Sequence, residues 1–121
     1  MTRDQIHIRA EITVEEGKTE EFKKLIQGMS RAVEANEPNT IQYRFYLDRA
    51  GTKCVVNEIY LNSEAAVAHN NGVASQTILP KIFKVSKISR LDVYGNPNKE
   101  LQKALTGSNA QIYNLSAGFS R

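Results

Sequence analysis

A carboxyl, a phenol and an imidazole lie close together in the stretch Glu58-Ile59-Tyr60-Leu61-Asn62-Ser63-Glu64-Ala65-Ala66-Val67-Ala68-His69. Two residues apart on a strand, Glu58 and Tyr60 share one face. Asn62 or Ser63 then caps a short helix with Glu64 in its first turn, and that helix carries His69 back over the same sheet. The chemistry this predicts is proton transfer. An imidazole takes up a proton near neutral pH, because its unperturbed pKa is about 6.5. A neighbouring carboxyl orients it or raises its basicity, and a tyrosine stacks on a ring or hydrogen-bonds a reduced oxygen. His69 and Glu58 are the candidate catalytic residues, and Tyr60, Tyr43, Asn57 and Phe83 the candidate substrate contacts. Asn57 points to the opposite face from Glu58, so it qualifies only for a pocket on that side. Each candidate has a structural alternative: His69 complementing a helix C-terminus, Glu58 pairing with Arg44 or Arg90, and the tyrosines serving as core or interface.

No other segment competes. The chain has no phosphate-binding glycine loop, dinucleotide fingerprint, two-histidine metal spacing or nucleophile elbow. No metal and no cofactor are expected on these grounds, although flavin sites in small folds can be silent in sequence. Cys54 is the single cysteine, which excludes an intrachain disulfide and two-cysteine metal sites; it reads as an inert strand residue.

The elements that must position these groups follow from periodicity. Residues 5–14 alternate isoleucine and alanine with His7, Arg9, Glu11 and Thr13, as in a strand with one apolar face. From Thr19 the period changes: Phe22, Leu25, Ile26, Met29 and Val33 form the stripe of an amphipathic helix that ends before Pro38. Ile41 to Asp48 and Lys53 to Leu61 read as a hairpin around Gly51. After the helix bearing His69, residues 73–83 predict a second short helical piece interrupted at Pro80, and Val85 to Tyr94 a fourth strand. A short helix over 98–105 precedes a polar tail carrying Ile112, Tyr113, Leu115 and Phe119.

The order β-α-β-β-α-β predicts an α+β fold of ferredoxin-like type, an antiparallel sheet with helices on one face. The second and third strands look apolar on both sides, so the uncovered face is expected to meet another sheet in a homodimer. At 121 residues and 40% apolar content the chain suits one domain, placed at 1–106, with 107–121 a tail packing on the partner subunit. The net charge is +3, concentrated late in the chain, but the lysines are separated and lack clustered aromatics, so no nucleic-acid partner is expected. The absence of an apolar leader or spanning run predicts a cytoplasmic protein with no membrane partner.

The ordered set of a Gly17-centred turn, Glu37-Pro38-Asn39-Thr40-Ile41-Gln42-Tyr43, Asn57-Glu58-Ile59-Tyr60, Ser63-Glu64-Ala65-Ala66-Val67-Ala68-His69 and Arg90-Leu91-Asp92-Val93-Tyr94-Gly95 resembles the antibiotic biosynthesis monooxygenase family over roughly residues 5–106. The resemblance implies a dimeric α+β barrel and a quinol-monooxygenase-like enzyme that oxidises an aromatic phenol or quinol with dioxygen, without a cofactor. It matches His69 to a histidine after the third strand, Glu58 to a strand glutamate and Tyr60 to a position where aromatics are common. Asn39 stands where glycine is usual. The chain contains no tryptophan, which argues against the haem-degrading branch. The alternatives are a cofactor-free isomerase in which His69 and Glu58 shuttle a proton, and a non-catalytic, ligand-binding stress-response dimer.

Overall fold

The computed structural model describes residues 4–121. Strand β1 (Ile6–Val14) occupies the middle of the sheet and buries Ile6, Ile8, Ala10, Ile12 and Val14 on one face. Helix α1 (Thr19–Asn36) lays Phe22, Met29 and Val33 on that face, with Glu20 and Glu21 in the first turn where the helix dipole favours anions. Strands β2 (Thr40–Leu47) and β3 (Lys53–Tyr60) form the predicted antiparallel hairpin. At its turn Gly51 adopts φ +74 and its carbonyl accepts from Thr19 Oγ1 at 2.9 Å, which ties the hairpin to the start of α1. A side chain there would collide with Thr19, whose Cγ2 lies 2.6 Å from the Cβ position.

Asn62 caps α2 (Ser63–Asn71) by accepting from the Ala65 N–H at 2.8 Å, and the helix buries Ser63, Ala65, Ala66 and His69. The expected single helical piece over 73–83 is two: α3 (Val73–Thr77) and α4 (Leu79–Ile82). Pro80 opens α4, since it has no N–H to continue α3 but fits a first turn. Strand β4 (Ser86–Tyr94) pairs antiparallel with β1, and α5 (Lys99–Ala104) is tied to α2 by the Asn98 N–H donating to Ser63 Oγ at 3.0 Å.

Among the described residues the sheet has five strands, in the order β2-β3-β1-β4-β5, one more than the sequence predicts. The addition, β5 (Gln111–Tyr113), comes from the tail and runs parallel to β4, fixed by the Gly95 N–H donating to the Tyr113 carbonyl at 2.9 Å and by Tyr94 stacking on Tyr113. Leu115 and Phe119 beyond it are exposed.

The helix-free face of the sheet is more polar than its sequence implies. Val55, Ile59 and Tyr46 share it with Arg44, Asn57, His7, Arg9 and Glu11, and its β4 section holds a buried Asp92 that accepts from Arg90 Nε at 2.9 and 3.2 Å. The outward positions of β1 and β4 are charged, so only part of this face is apolar.

On the helix side the buried residues form two clusters, one of α1, α3 and α4 against the sheet and one of α2 and α5 around Tyr60. Cys54 belongs to the first, is 1% exposed, and burial pushes its thiol up to about 11. Such a thiol is packing material. Cys54→Ser is expected to leave activity near normal while lowering stability by about 1 to 2 kcal/mol, the cost of a newly buried hydroxyl; urea unfolding beside an activity assay checks both halves.

Candidate active site

Strand register and helix placement bring four of the six predicted residues to one place. Tyr43 on β2 lies directly opposite Glu58 on β3, and Ile8 on β1 flanks Glu58 on the other side. Tyr60, two residues on, turns its hydroxyl back to donate to Glu58 Oε1. From above, α2 lowers His69 between the two phenols, with ring centroids 5.2 Å from Tyr43 and 5.5 Å from Tyr60. Ala65 and Ala66 make this approach possible, since their small side chains let α2 lie close to the sheet.

Three of these groups border a cavity of about 150 Å³ between the sheet and the helices, and Tyr60 lies buried behind them. Tyr43, Glu58 and His69 line one part of it; Ala10, Ile12, Phe45, Val56, Leu79 and Ile82 line much of the rest. Phe83 stands at its edge, 40% exposed. Asn57 is not brought in: it lies on the opposite face of the sheet, where its Oδ1 meets His7 Nε2 at 3.3 Å.

The partner of the imidazole is one that sequence reasoning missed. Glu37 Oε1, just past the end of α1, accepts from His69 Nδ1 at 2.7 Å, and the two side chains are 10% and 6% exposed. Thr40 Oγ1 donates to the same carboxylate oxygen at 2.9 Å. Gly72 leaves room for this carboxylate, since a Cβ there would stand 3.4 Å from Glu37 Oε2 and 3.2 Å from the Ala68 carbonyl. With Nδ1 engaged as donor, Nε2 is left as the acceptor, 3.4 Å from Ser75 Oγ on α3. Glu58 therefore does not orient His69; it bonds Tyr60 instead. The only sequence signal for Glu37 is an acidic residue before Pro38, which reads equally as a helix stop.

Burial pushes the Glu58 carboxyl up, against the opposing influences of His69 and the Tyr60 hydroxyl. Glu58 is half-buried and lines the cavity. Burial, reinforced by the charge of Glu58, also pushes both the Tyr43 and Tyr60 phenols well above their ordinary value. At the cavity a carboxyl and a phenol whose hold on their protons is strengthened by burial, Glu58 and Tyr43, face an imidazole with a free nitrogen, and the Tyr60 phenol stands behind Glu58. Among the described residues no three His, Cys, Asp or Glu side chains gather as a metal site requires.

The family model of the antibiotic biosynthesis monooxygenases matches residues 5–80. No curated protein matches the sequence. Among solved structures the chain is similar to MupZ from Pseudomonas fluorescens, with a TM-score of 0.82 and 24% identity over 97% of this chain and 94% of that one. It is also similar to a mutant of SnoaB, a cofactor-independent oxygenase from Streptomyces nogalater, with a TM-score of 0.66 and 12% identity over 79% of this chain and 96% of that one. A conserved protein from Methanosarcina mazei Go1 gives a TM-score of 0.66 and 16% identity, covering 76% of this chain and 92% of that one. At these identities the likeness shows the fold.

The raised Glu58 carboxyl has a pH consequence. The folded state holds this proton more tightly than the unfolded chain, whose carboxyl titrates near 4.5, so the contribution is full below that value and is lost as pH rises through the folded one. Glu58→Gln cannot ionise and is expected to lose less melting temperature than the parent between about pH 4 and about pH 8. Parallel melting curves of the two proteins across that range would contradict it.

Proposed function

The chain belongs to the antibiotic biosynthesis monooxygenase family, and from this we propose that it is a small-molecule monooxygenase that oxidises an aromatic phenol or quinol with dioxygen and without a cofactor. The observation that carries the reading is the convergence of His69, Glu58 and Tyr43 on one largely apolar cavity, with Tyr60 bonded to Glu58 behind them. A phenol becomes a far better electron donor to dioxygen once deprotonated, so the protein must supply a base, a dry pocket and groups that hold the ring.

In this reading His69 Nε2 takes the phenolic proton, directly or through the Ser75 hydroxyl, and Glu37 holds the ring and stabilises the imidazolium that forms. Glu58, whose carboxyl burial pushes towards its neutral form, donates in that form to the oxygen on which negative charge develops, and Tyr60 fixes its orientation. Tyr43 and Phe83 bear on the aromatic ring. A cofactor-free route is supported by the likeness to the cofactor-independent oxygenase SnoaB. We also propose a homodimer, to which the exposed Ile112, Leu115 and Phe119 of the terminal segment and the apolar part of the open sheet face would contribute. No helix of the described residues is long and apolar enough to cross a membrane.

One observation favours a second reading. A carboxyl pushed towards its neutral form by burial, facing an imidazole nitrogen free to accept a proton, is an arrangement an isomerase can use to move a proton between two positions of one substrate. Oxygen consumption separates the readings: uptake with hydroquinones and naphthols and no added cofactor supports the monooxygenase, and substrate conversion without uptake supports the isomerase.

His69→Ala is expected to lower turnover by about 10²- to 10⁴-fold, the range for loss of a general base, and added imidazole to restore part of it. Glu37→Gln keeps the hydrogen bond but not the charge, and is expected to lower kcat more than it raises KM. A His69→Ala protein that loses melting temperature while its turnover per folded molecule is unchanged would make His69 structural. Light scattering at micromolar concentration is expected to give twice the monomer mass, and truncation at Gly107 to weaken the association.

A further inference from the structure

The wall of the cavity is graded along the strands. At the level of Tyr43, Glu58 and Ile8 the sheet presents polar groups; one step further on the same face come Phe45, Val56 and Ala10, and then Ile12, all apolar. On the helix side the polar end meets His69, whereas Leu79 and Ile82 cover the apolar part. The volume of about 150 Å³ equals that of an engineered apolar protein cavity known to admit benzene. Ala10, Ile12, Val56 and Ile82 also belong to the main core cluster, so these walls cannot retreat without breaking close packing. Among the described residues lining the cavity none is lysine or arginine, and the titratable ones are Glu58, Tyr43 and His69, with Glu37 behind the imidazole. An anion would lose its hydration there and meet no countercharge beyond an imidazole already paired with a carboxylate.

We propose that the polar end of this cavity takes a single uncharged six-membered ring, with its hydroxyl or carbonyl oxygen directed at Glu58 and His69, and that it rejects fused-ring and anionic molecules. The proposal rests on the reading of this cavity as the substrate site and narrows the substrate to a monocyclic phenol or quinol. Any remaining part of a larger substrate leaves past Phe83 and Ile88, which are 40% and 41% exposed at the cavity edge.

The order of affinities tests it, because a second ring adds apolar area and binds more tightly wherever space permits. Calorimetric titration of the full chain with phenol, 2-naphthol and phenyl phosphate is expected to show phenol binding at least tenfold more tightly than 2-naphthol, and no heat from phenyl phosphate. Leu91→Ala, which removes a half-buried wall residue, is expected to bring 2-naphthol at least tenfold closer to phenol; Phe45→Leu is the second widening variant should the first lose its fold. Equal or tighter binding of 2-naphthol by the parent protein, binding of phenyl phosphate, or no binding of any probe overturns the proposal. Oxygen uptake on the same samples separates it from the reading it rests on. The expected order without uptake keeps the ring-size limit and removes the oxygenase, whereas uptake with 2-naphthol bound as tightly as phenol does the reverse.

Discussion

The contact on which the site depends is the 2.7 Å hydrogen bond between His69 Nδ1 and Glu37 Oε1. It joins the residue just after α1 to the last turn of α2, and so links two elements whose positions are set independently. Helix α1 is held by Phe22, Met29 and Val33 in one cluster, and α2 by Ala65 and Ala66 in the other. Removing one partner of a buried hydrogen bond costs about 1 to 3 kcal/mol because the other is left unsatisfied, and less when both are made apolar together. Stability alone is therefore a weak reason for it. Its sharper consequence is geometric: it decides which imidazole nitrogen carries a proton and which is free, and it holds the ring where Tyr43 and Tyr60 flank it.

The cavity exists because β1 alternates in size as well as in polarity. Ile8 and Ile12 fill their positions on the helix side, but Ala10 between them does not, and the space above it lies where the two apolar clusters meet. Ile8 belongs to the cluster of α2 and α5, while Ile12 and Ala10 belong to that of α1, α3 and α4. The break between α3 and α4 at Pro80 contributes on the opposite side, because a continuous helix from Val73 to Ile82 could not change direction to bring Leu79 and Ile82 over the same space.

Local patterns made most of the frame legible. The alternation of β1, the stripe of α1 and the Asn62 cap of α2 are short-range signals with short-range causes, and the strand period alone placed Glu58 and Tyr60 on one face and Asn57 on the other. What stayed hidden depends on contacts far apart in the chain. Glu37 lies 32 residues from His69, and its local sequence explains it fully as the end of a helix. Strand β5 spans three residues of a polar segment and owes its existence to the edge of β4 and the stack of Tyr113 on Tyr94. The polar character of the open face was obscured because β2 and β3 are its more apolar part, whereas the buried Asp92 and its arginine partner come from β4.

Two glutamates in one small site have different surroundings. Glu37 accepts from an imidazole N–H and from the Thr40 hydroxyl, and it lies just past the end of α1. Glu58 stands in the middle of the sheet with Tyr43 and Ile8 beside it, and its one donor, the Tyr60 phenol, does not offset its removal from water. A strand cannot supply spare backbone N–H groups to a side chain on its face, since the ladder uses them, so a carboxyl buried there is driven towards its neutral form. A helix end leaves its last residue free to turn towards a partner on another element. The fold thus puts one glutamate behind the base at a helix terminus and the other opposite it on a strand, where burial raises its carboxyl.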